Sequence, residues 1–361
     1  MIDAVASGVR PAVRAMQPYE WEISSDALAA ELGLPPSEIL RFDTNTSPYP
    51  PAVPSDLLAT ALGAINEYPD ATYAPLVRAI TAYTGLAAES IVVGAGADEL
   101  LDMLVKVFLE PGDTAVSTSP TYTMYGVATA TMGGRLVAVR DRADFGLDPD
   151  ALVAAAREAK LVWLCHPNNP TGHARPVEEI AALASAVPCP VVVDEAYYEF
   201  HGTTAATLIA GRPNVVVVRT LSKAFGLAGA RVGYALAAPE MVGWLNRVRP
   251  PNSVGSLSIA LAAAALQDAA GMRQRVATIL AHREELAASL RDLGLHVFPS
   301  AANFVLVRVP EARAVAQRLL RQGIVVRDVS SRPGVEGCLR FTARTPEHNA
   351  RLRGALAAAL R

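Results

Sequence analysis

Cysteine is scarce in this chain. Cys165, Cys189 and Cys338 are an odd number and lie far apart. That pattern excludes a disulfide framework and a cysteine-rich metal centre. Two of the three sit in or beside apolar runs, so they read as small core residues in a reducing compartment. The six histidines are scattered without ligand spacing, and no metal is expected. Neither sign of charge dominates: the formal charge is -3 and the pI about 6.1. This leaves no electrostatic case for nucleic acid or an anionic membrane as partner. No apolar run approaches the roughly 20 residues of a membrane span. Ile259 to Leu266 is much shorter and reads as a core helix. Met1 to Arg10 lacks the apolar stretch of a signal peptide, which makes the cytoplasm the expected location. Repeats and low-complexity tracts are also missing.

What remains is 361 residues, 51% of them hydrophobic, with a mean hydropathy of +0.25. That is enough for a large core and for two domains. Pro48-Tyr49-Pro50-Pro51 and Pro54 mark a stiff, extended connection. From about 70 to 240 the pattern alternates. Helices are expected at Pro75–Tyr83, Ala97–Leu109, Thr121–Met132 and Pro149–Glu158. Strands are expected at Ile91–Val93, Thr114–Ser117 and Arg135–Val139, and before Pro167, Glu195 and Thr220. Such alternation predicts an α/β fold with a mainly parallel sheet covered on both faces. Pro250-Pro251 and Ser253 read as a hinge. Beyond it, helical patterns over 258–293 and short strands around 296–299, 303–309, 324–327 and 338–342 predict a smaller α+β domain. Thr345-Pro346 is a helix start with Pro in the first turn. The expected division is residues 1–47 as an arm plus part of the small domain, 48–250 as the large domain and 251–361 as the small domain.

Three of the expected buried strands end in chemistry. Val215 to Val218 leads into Arg219-Thr220-Leu221-Ser222-Lys223-Ala224-Phe225-Gly226, which places Lys223 in a tight turn. A lysine partly desolvated there favours its neutral, nucleophilic form, suited to Schiff-base formation with a carbonyl. Val191-Val192-Val193 ends in Asp194, with Tyr197 three residues on. Leu161 to Cys165 leads into His166-Pro167-Asn168-Asn169-Pro170-Thr171-Gly172. Taken singly, Lys223 is a solvated loop residue, Asp194 a turn cap, Asn169 a turn former and Tyr197 a core aromatic. Together they match the needs of pyridoxal phosphate: a lysine for the aldehyde and a carboxylate for the pyridinium nitrogen. Asn169 and Tyr197 would serve the ring's phenolate oxygen. Gly94-Ala95-Gly96-Ala97-Asp98-Glu99 joins a strand to a helix whose start offers free amides to a phosphate. It lacks the third glycine of a dinucleotide fingerprint. Gly96, Ala97 and Asp98 would supply the amides. Asp98 is compatible with that as a helix cap if its side chain turns away. Ser222, Arg231 and Thr220 would complete the cup, Arg231 bidentately; alone, Arg231 is a surface charge.

Asn-Asn-Pro-Thr-Gly at 168–172, Asp-Glu-Ala-Tyr at 194–197 and Ser-Lys-Ala-Phe-Gly-Leu-Ala-Gly-x-Arg at 222–231, in that chain order, resemble the fold-type I pyridoxal phosphate aminotransferases, and among them the histidinol-phosphate aminotransferases. The resemblance runs from Tyr19 to about Arg340. It implies a homodimer with shared active sites, acting on an amino donor and a 2-oxo acid. By that resemblance Tyr122 stacks on the pyridine ring, with Tyr125 as its packing neighbour. Tyr68 reaches the cofactor phosphate of the neighbouring subunit, or is a surface tyrosine before a turn. Arg340 and Arg327 form a dianion-binding pair, while nearby Arg332 and Arg344 are solvated. Tyr19 lies near the substrate phosphate on an arm that closes as a lid, and Asn45 orients the substrate or is a turn residue. Asp43-Thr44-Asn45-Thr46-Ser47-Pro48 departs from the Asn-Glu-Asn-Pro of many members. The implied reaction is L-histidinol phosphate plus 2-oxoglutarate to imidazole acetol phosphate plus glutamate. An aromatic or other amino-acid aminotransferase, a related pyridoxal phosphate lyase such as a threonine-phosphate decarboxylase, and a catalytically silent pyridoxal phosphate-binding regulator are the alternatives.

Overall fold

The structure is a computed structural model and describes residues 2–16 and 23–361. Its centre is a seven-stranded sheet in the order Ile91–Gly94, Gly233–Leu236, Val215–Thr220, Val191–Asp194, Leu161–Cys165, Thr114–Ser119 and Arg135–Arg140. All neighbours pair in parallel except Gly233–Leu236, which runs antiparallel to both its partners. The expected strands are present. The antiparallel strand is an addition, four residues long and preceded by a small-residue turn, too short to stand out as a pattern.

The continuous valine runs follow from burial on both faces. Val191, Val193, Val215 and Val217 join one apolar cluster, while Val192, Val216 and Val218 join the other. Alternation along a strand sends successive side chains to opposite layers. One layer is covered by helices Ala74–Thr84, Pro149–Ala156, Val177–Ala186 and Ser256–Gln267, through Leu76, Ile80, Leu152, Ile180 and Ile259. The other is covered by Ala97–Phe108, Met124–Thr131 and Pro239–Val248, through Leu101, Leu104, Tyr125 and Leu245. A fully buried aliphatic side chain contributes roughly 1.5–3 kcal/mol, so these two layers carry most of the stability of the sheet.

The smaller sheet is antiparallel, in the order Arg327–Asp328, Cys338–Thr342, Phe304–Arg308, His296–Val297. It packs on helices Ala312–Leu320 and Pro346–Ala359; Thr345 caps the latter through the amide of His348. Strand Leu40–Arg41 pairs in parallel with Ile324–Val325, which ties the N-terminal segment to this part of the chain. The run 324–327 is thus two strands, with Val326 between pairings to different partners.

The change of core does not fall at 250. Helix Ser256–Gln267 packs on the large sheet's helices. Helix Ala269–Arg291 gives Met272, Val276 and Ile279 to the large core, then Leu286, Ala287 and Leu290 to the small one. The Pro250-Pro251 break is a turn within the large unit, and one continuous helix, Ala269–Arg291, carries the chain across.

Candidate active site

Sheet register sets the site. Cys165 lies beside Asp194, and Asp194 beside Val218. Three parallel strands therefore end nearly level, and their carboxyl ends open into one cavity, the usual ligand position in such sheets. The cavity is about 340 Å³ and is lined by Asp98, Tyr122, Asn169, Asp194, Tyr197 and Lys223, with Thr220, Ser222, Arg231, Arg327 and Arg340. Ala97 and Asn45 also reach it.

At one end stand Asp98, Arg231 and the start of helix Ala97–Phe108, which no side chain caps. Thr220 pairs with Gly233, and Gly233 with Gly94, so small residues meet beside this turn. A Cβ on Gly233 would lie 2.5 Å from the carbonyl carbon of Gly96. At Gly96, φ is +83°, and a Cβ would lie 2.7 Å from Arg231 Nη2. The glycines hold a backbone cradle against a guanidinium. The side chain of Asp98 does not turn away. Its Oδ2 accepts from Arg231 Nη2 at 3.2 Å and its Oδ1 from the Tyr122 hydroxyl at 3.1 Å. The half-exposed Arg231 is thereby ion-paired with Asp98.

Asp194 is buried in the middle of the site. Its Oδ1 accepts from the amide of Ala196 at 3.1 Å, and its Oδ2 from the Tyr125 hydroxyl at 2.8 Å. Burial raises its pKa from 3.8 to about 6, against the pull of these donors. Tyr125 is more than a packing neighbour. Its ring stacks on Trp163 at 5.2 Å, and its hydroxyl is committed to the carboxylate.

Lys223 Nζ donates to the carbonyl of Thr44 at 2.9 Å. Its turn is tight because Gly226 adopts φ +69° against the Tyr49 carbonyl, where a Cβ would fall 2.7 Å away. The Tyr197 hydroxyl accepts from Asn45 Nδ2 at 2.9 Å, which leaves its own proton to be donated elsewhere. Asn45 is itself clamped: its amide donates to Thr342 Oγ1 and its carbonyl accepts from Asn303. Asn45 thus holds the Tyr197 hydroxyl and also lines the cavity.

Arg327 and Arg340 are direct cross-strand partners and share a face. Arg340 is buried; its Nη1 donates to Asn169 Oδ1 at 2.5 Å and its Nη2 to the carbonyl of Asp43. Burial lowers its pKa to about 10. Arg344 is not solvated: it is half-buried and donates to the Thr46 carbonyl at 3.3 Å. Thr46 therefore stands where a cation holds the loop. Arg332 is likewise half-buried, and its charge depresses the Arg340 pKa. Arg175 braces the loop bearing Asn169 from below, bound to the Cys165 carbonyl and, at 2.9 Å, to buried Asp141. Tyr68 is 87% exposed and does not line the cavity. Tyr19 lies outside the described residues.

The model of class I and II aminotransferases matches residues 37–356. The chain belongs to the class I and II aminotransferases. A histidinol-phosphate aminotransferase from Roseiflexus castenholzii is 38% identical to this aminotransferase over 94% of the chain and 95% of the relative. One from Dechloromonas aromatica is also 38% identical, over 96% and 97%. Among solved structures, the histidinol-phosphate aminotransferase of Sinorhizobium meliloti in complex with pyridoxal-5'-phosphate superposes with a TM-score of 0.89, at 31% identity and 98% coverage of both chains. An L-threonine-O-3-phosphate decarboxylase from Porphyromonas gingivalis shares the fold, with a TM-score of 0.77 at 24% identity.

Sequence reasoning missed Thr44, Asp43 and Tyr125. Thr44 and Asp43 act through main-chain carbonyls, which carry no side-chain signature. Tyr125 was visible in Pro120-Thr121-Tyr122-Thr123-Met124-Tyr125, but only its contact with Asp194 shows what it does.

Proposed function

We propose that this aminotransferase holds pyridoxal phosphate in the cavity and converts L-histidinol phosphate and 2-oxoglutarate to imidazole acetol phosphate and L-glutamate. The residues fit the cofactor. The uncapped helix start at Gly96, Ala97 and Asp98, with Thr220, Ser222 and Arg231, suits its phosphate. Asp194 suits the ring nitrogen, Asn169 and Tyr197 the ring oxygen, Tyr122 the ring face and Lys223 the aldehyde. Bound there, the cofactor supplies an electron sink for negative charge at the substrate's α-carbon.

The protein's own groups do the rest. Asp194, titrating at about 6, is ionised at neutral pH and holds a proton on the ring nitrogen. Lys223 Nζ takes and returns the proton at the α-carbon. Arg327 and Arg340 bind the substrate's dianionic end, and the same pair accepts a dicarboxylate in the second half-reaction. That cross-strand pair is the observation carrying the substrate assignment, together with the names of the relatives. Two copies form the working unit, with Tyr68 of each reaching the other's phosphate cup. Leu62, Ile65 and Tyr68, all exposed apolar side chains in one stretch, support this. The three buried free cysteines support a cytoplasmic location.

Side-chain amines occur only at Lys106, Lys160 and Lys223. Borohydride treatment of protein incubated with pyridoxal phosphate should therefore mark one peptide, that of Lys223. Lys223→Ala should lose at least about a thousandfold in turnover. Stepwise addition of amines, followed by cofactor absorbance, should show conversion by histidinol phosphate and glutamate. Inertness to histidinol phosphate, with reaction of phenylalanine, would reject the substrate.

A further inference from the structure

We infer that Tyr125 is a positioning residue that acts through Asp194, its hydroxyl holding the carboxylate aligned and ionised toward the cavity. The inference rests on the proposed function, because it gives Asp194 a cationic ring nitrogen as its partner.

The geometry is specific. Asp194 reaches the end of strand Val191–Asp194 with its two oxygens committed to different donors, Ala196 N–H on one and the Tyr125 hydroxyl on the other. The amide comes from the backbone turn that follows Asp194. Only Tyr125 arrives from another element, helix Met124–Thr131, and only it can be removed by substitution. Tyr125 is fully buried, so its hydroxyl meets the carboxylate away from bulk solvent. Parallel stacking on Trp163, with 4° between the planes, fixes the ring that carries the hydroxyl. Trp163 lies on the strand beside Asp194's own, so the donor and acceptor are placed by one sheet.

The other charged or titratable groups facing Asp194 are Asp98, Lys223, Tyr122, Tyr197 and Cys165. Asp98 raises its pKa and Lys223 lowers it, and burial outweighs both. The two hydrogen bonds are the main forces keeping the carboxylate ionised. Removing one raises its pKa further.

Binding links to this proton. Below its pKa, Asp194 is neutral and the free pyridinium also carries a proton, while the pair between them holds only one. A proton must leave on binding, so affinity falls as pH drops through the Asp194 pKa. Tyr125→Phe keeps the ring and its stack but removes the donor. It should move that acidic fall upward by about one pH unit, the tenfold effect expected of one hydrogen bond to a charged group.

The test measures the dissociation constant of pyridoxal phosphate from pH 5 to pH 8 by fluorescence quenching, on wild type and Tyr125→Phe. The same titration uses the 1-deaza analogue, which has C–H in place of the ring nitrogen. Wild type should lose affinity for pyridoxal phosphate at acid pH and show no such loss for the analogue. Tyr125→Phe should shift the first curve and leave the second in place. Tyr125→Met is a second donor-free variant, for use if the Phe variant does not fold. An unshifted acid limb in a folded donor-free variant, or an equal shift of the analogue's curve in that variant, overturns the role of Tyr125. Indifference of wild type to the ring nitrogen instead overturns the proposed place of Asp194 in the function.

Discussion

Asp194 shows how one residue trades stability for binding. Its carboxyl titrates near 3.8 when exposed and at about 6 when buried in the folded chain. A raised acid holds its proton more tightly folded than unfolded. Its contribution to stability is therefore fully present below about pH 4 and is lost as pH rises to about 6. The difference corresponds to about 3 kcal/mol. Asp194→Asn removes the penalty. The cofactor-free variant should be more stable than wild type above about pH 6.5 and equal near pH 4, as urea unfolding at both pH values will show. It should also bind pyridoxal phosphate far more weakly. Equal stability at both pH values would mean that Asp194 titrates normally. Sequence spacing singled out Asp194, Lys223 and Asn169, which line one cavity, because each follows a strand too apolar to be anything but buried. It left Asn45 as a substrate-orienting or turn residue and made the cap role of Asp98 conditional on an averted side chain, because Tyr197 and Arg231, which they contact, lie 152 and 133 positions away in the chain.

The strand–turn–helix unit around Gly96 works as an element rather than through any one side chain. Gly96 sits at φ +83° against the Arg231 guanidinium, and Gly233 packs against its backbone. In Gly96→Ala, the Cβ strains the turn and pushes Arg231 from its place. Pyridoxal phosphate should bind about tenfold more weakly, while pyridoxal, which lacks the phosphate, should change little. Comparing the two ligands by equilibrium dialysis separates a damaged cup from general misfolding. The glycine-rich turn was legible, since a strand before it and an amphipathic helix after it are both strong patterns. The antiparallel strand Gly233–Leu236 that closes the cup was not. Four residues carry no periodicity, and only pairing with Ile91–Gly94 and Val215–Thr220 makes them a strand.

For the whole molecule, the expected consequence is a site completed by two copies. Tyr68 stands 87% exposed on its own chain, outside the cavity. If it serves a neighbouring subunit, Tyr68→Ala and Lys223→Ala chains should complement each other. Half of randomly mixed dimers would pair the two variants, each with one intact site, and should restore roughly a quarter of wild-type activity. Mixtures no more active than the separate variants would place Tyr68 on its own subunit or outside the reaction. Helix Ala269–Arg291 belongs to the same scale. Its first half packs in the large core and its second in the small one, which couples the Arg327–Arg340 face to the sheet that carries Lys223.

Local composition by itself determined the parallel sheet, the strand-end residues and the cofactor chemistry they suit. Runs of buried aliphatics and turn-forming residues are decided by neighbours in the chain, through alternation and backbone preference. Tertiary structure alone decided which groups hold the chemical ones in place: Tyr125 on Asp194, Asn45 on Tyr197, Thr44 on Lys223 and Asp43 on Arg340. Those contacts join residues from 69 to 297 positions apart. Hydrogen bonds of that reach depend on how the two cores meet, which no local pattern encodes.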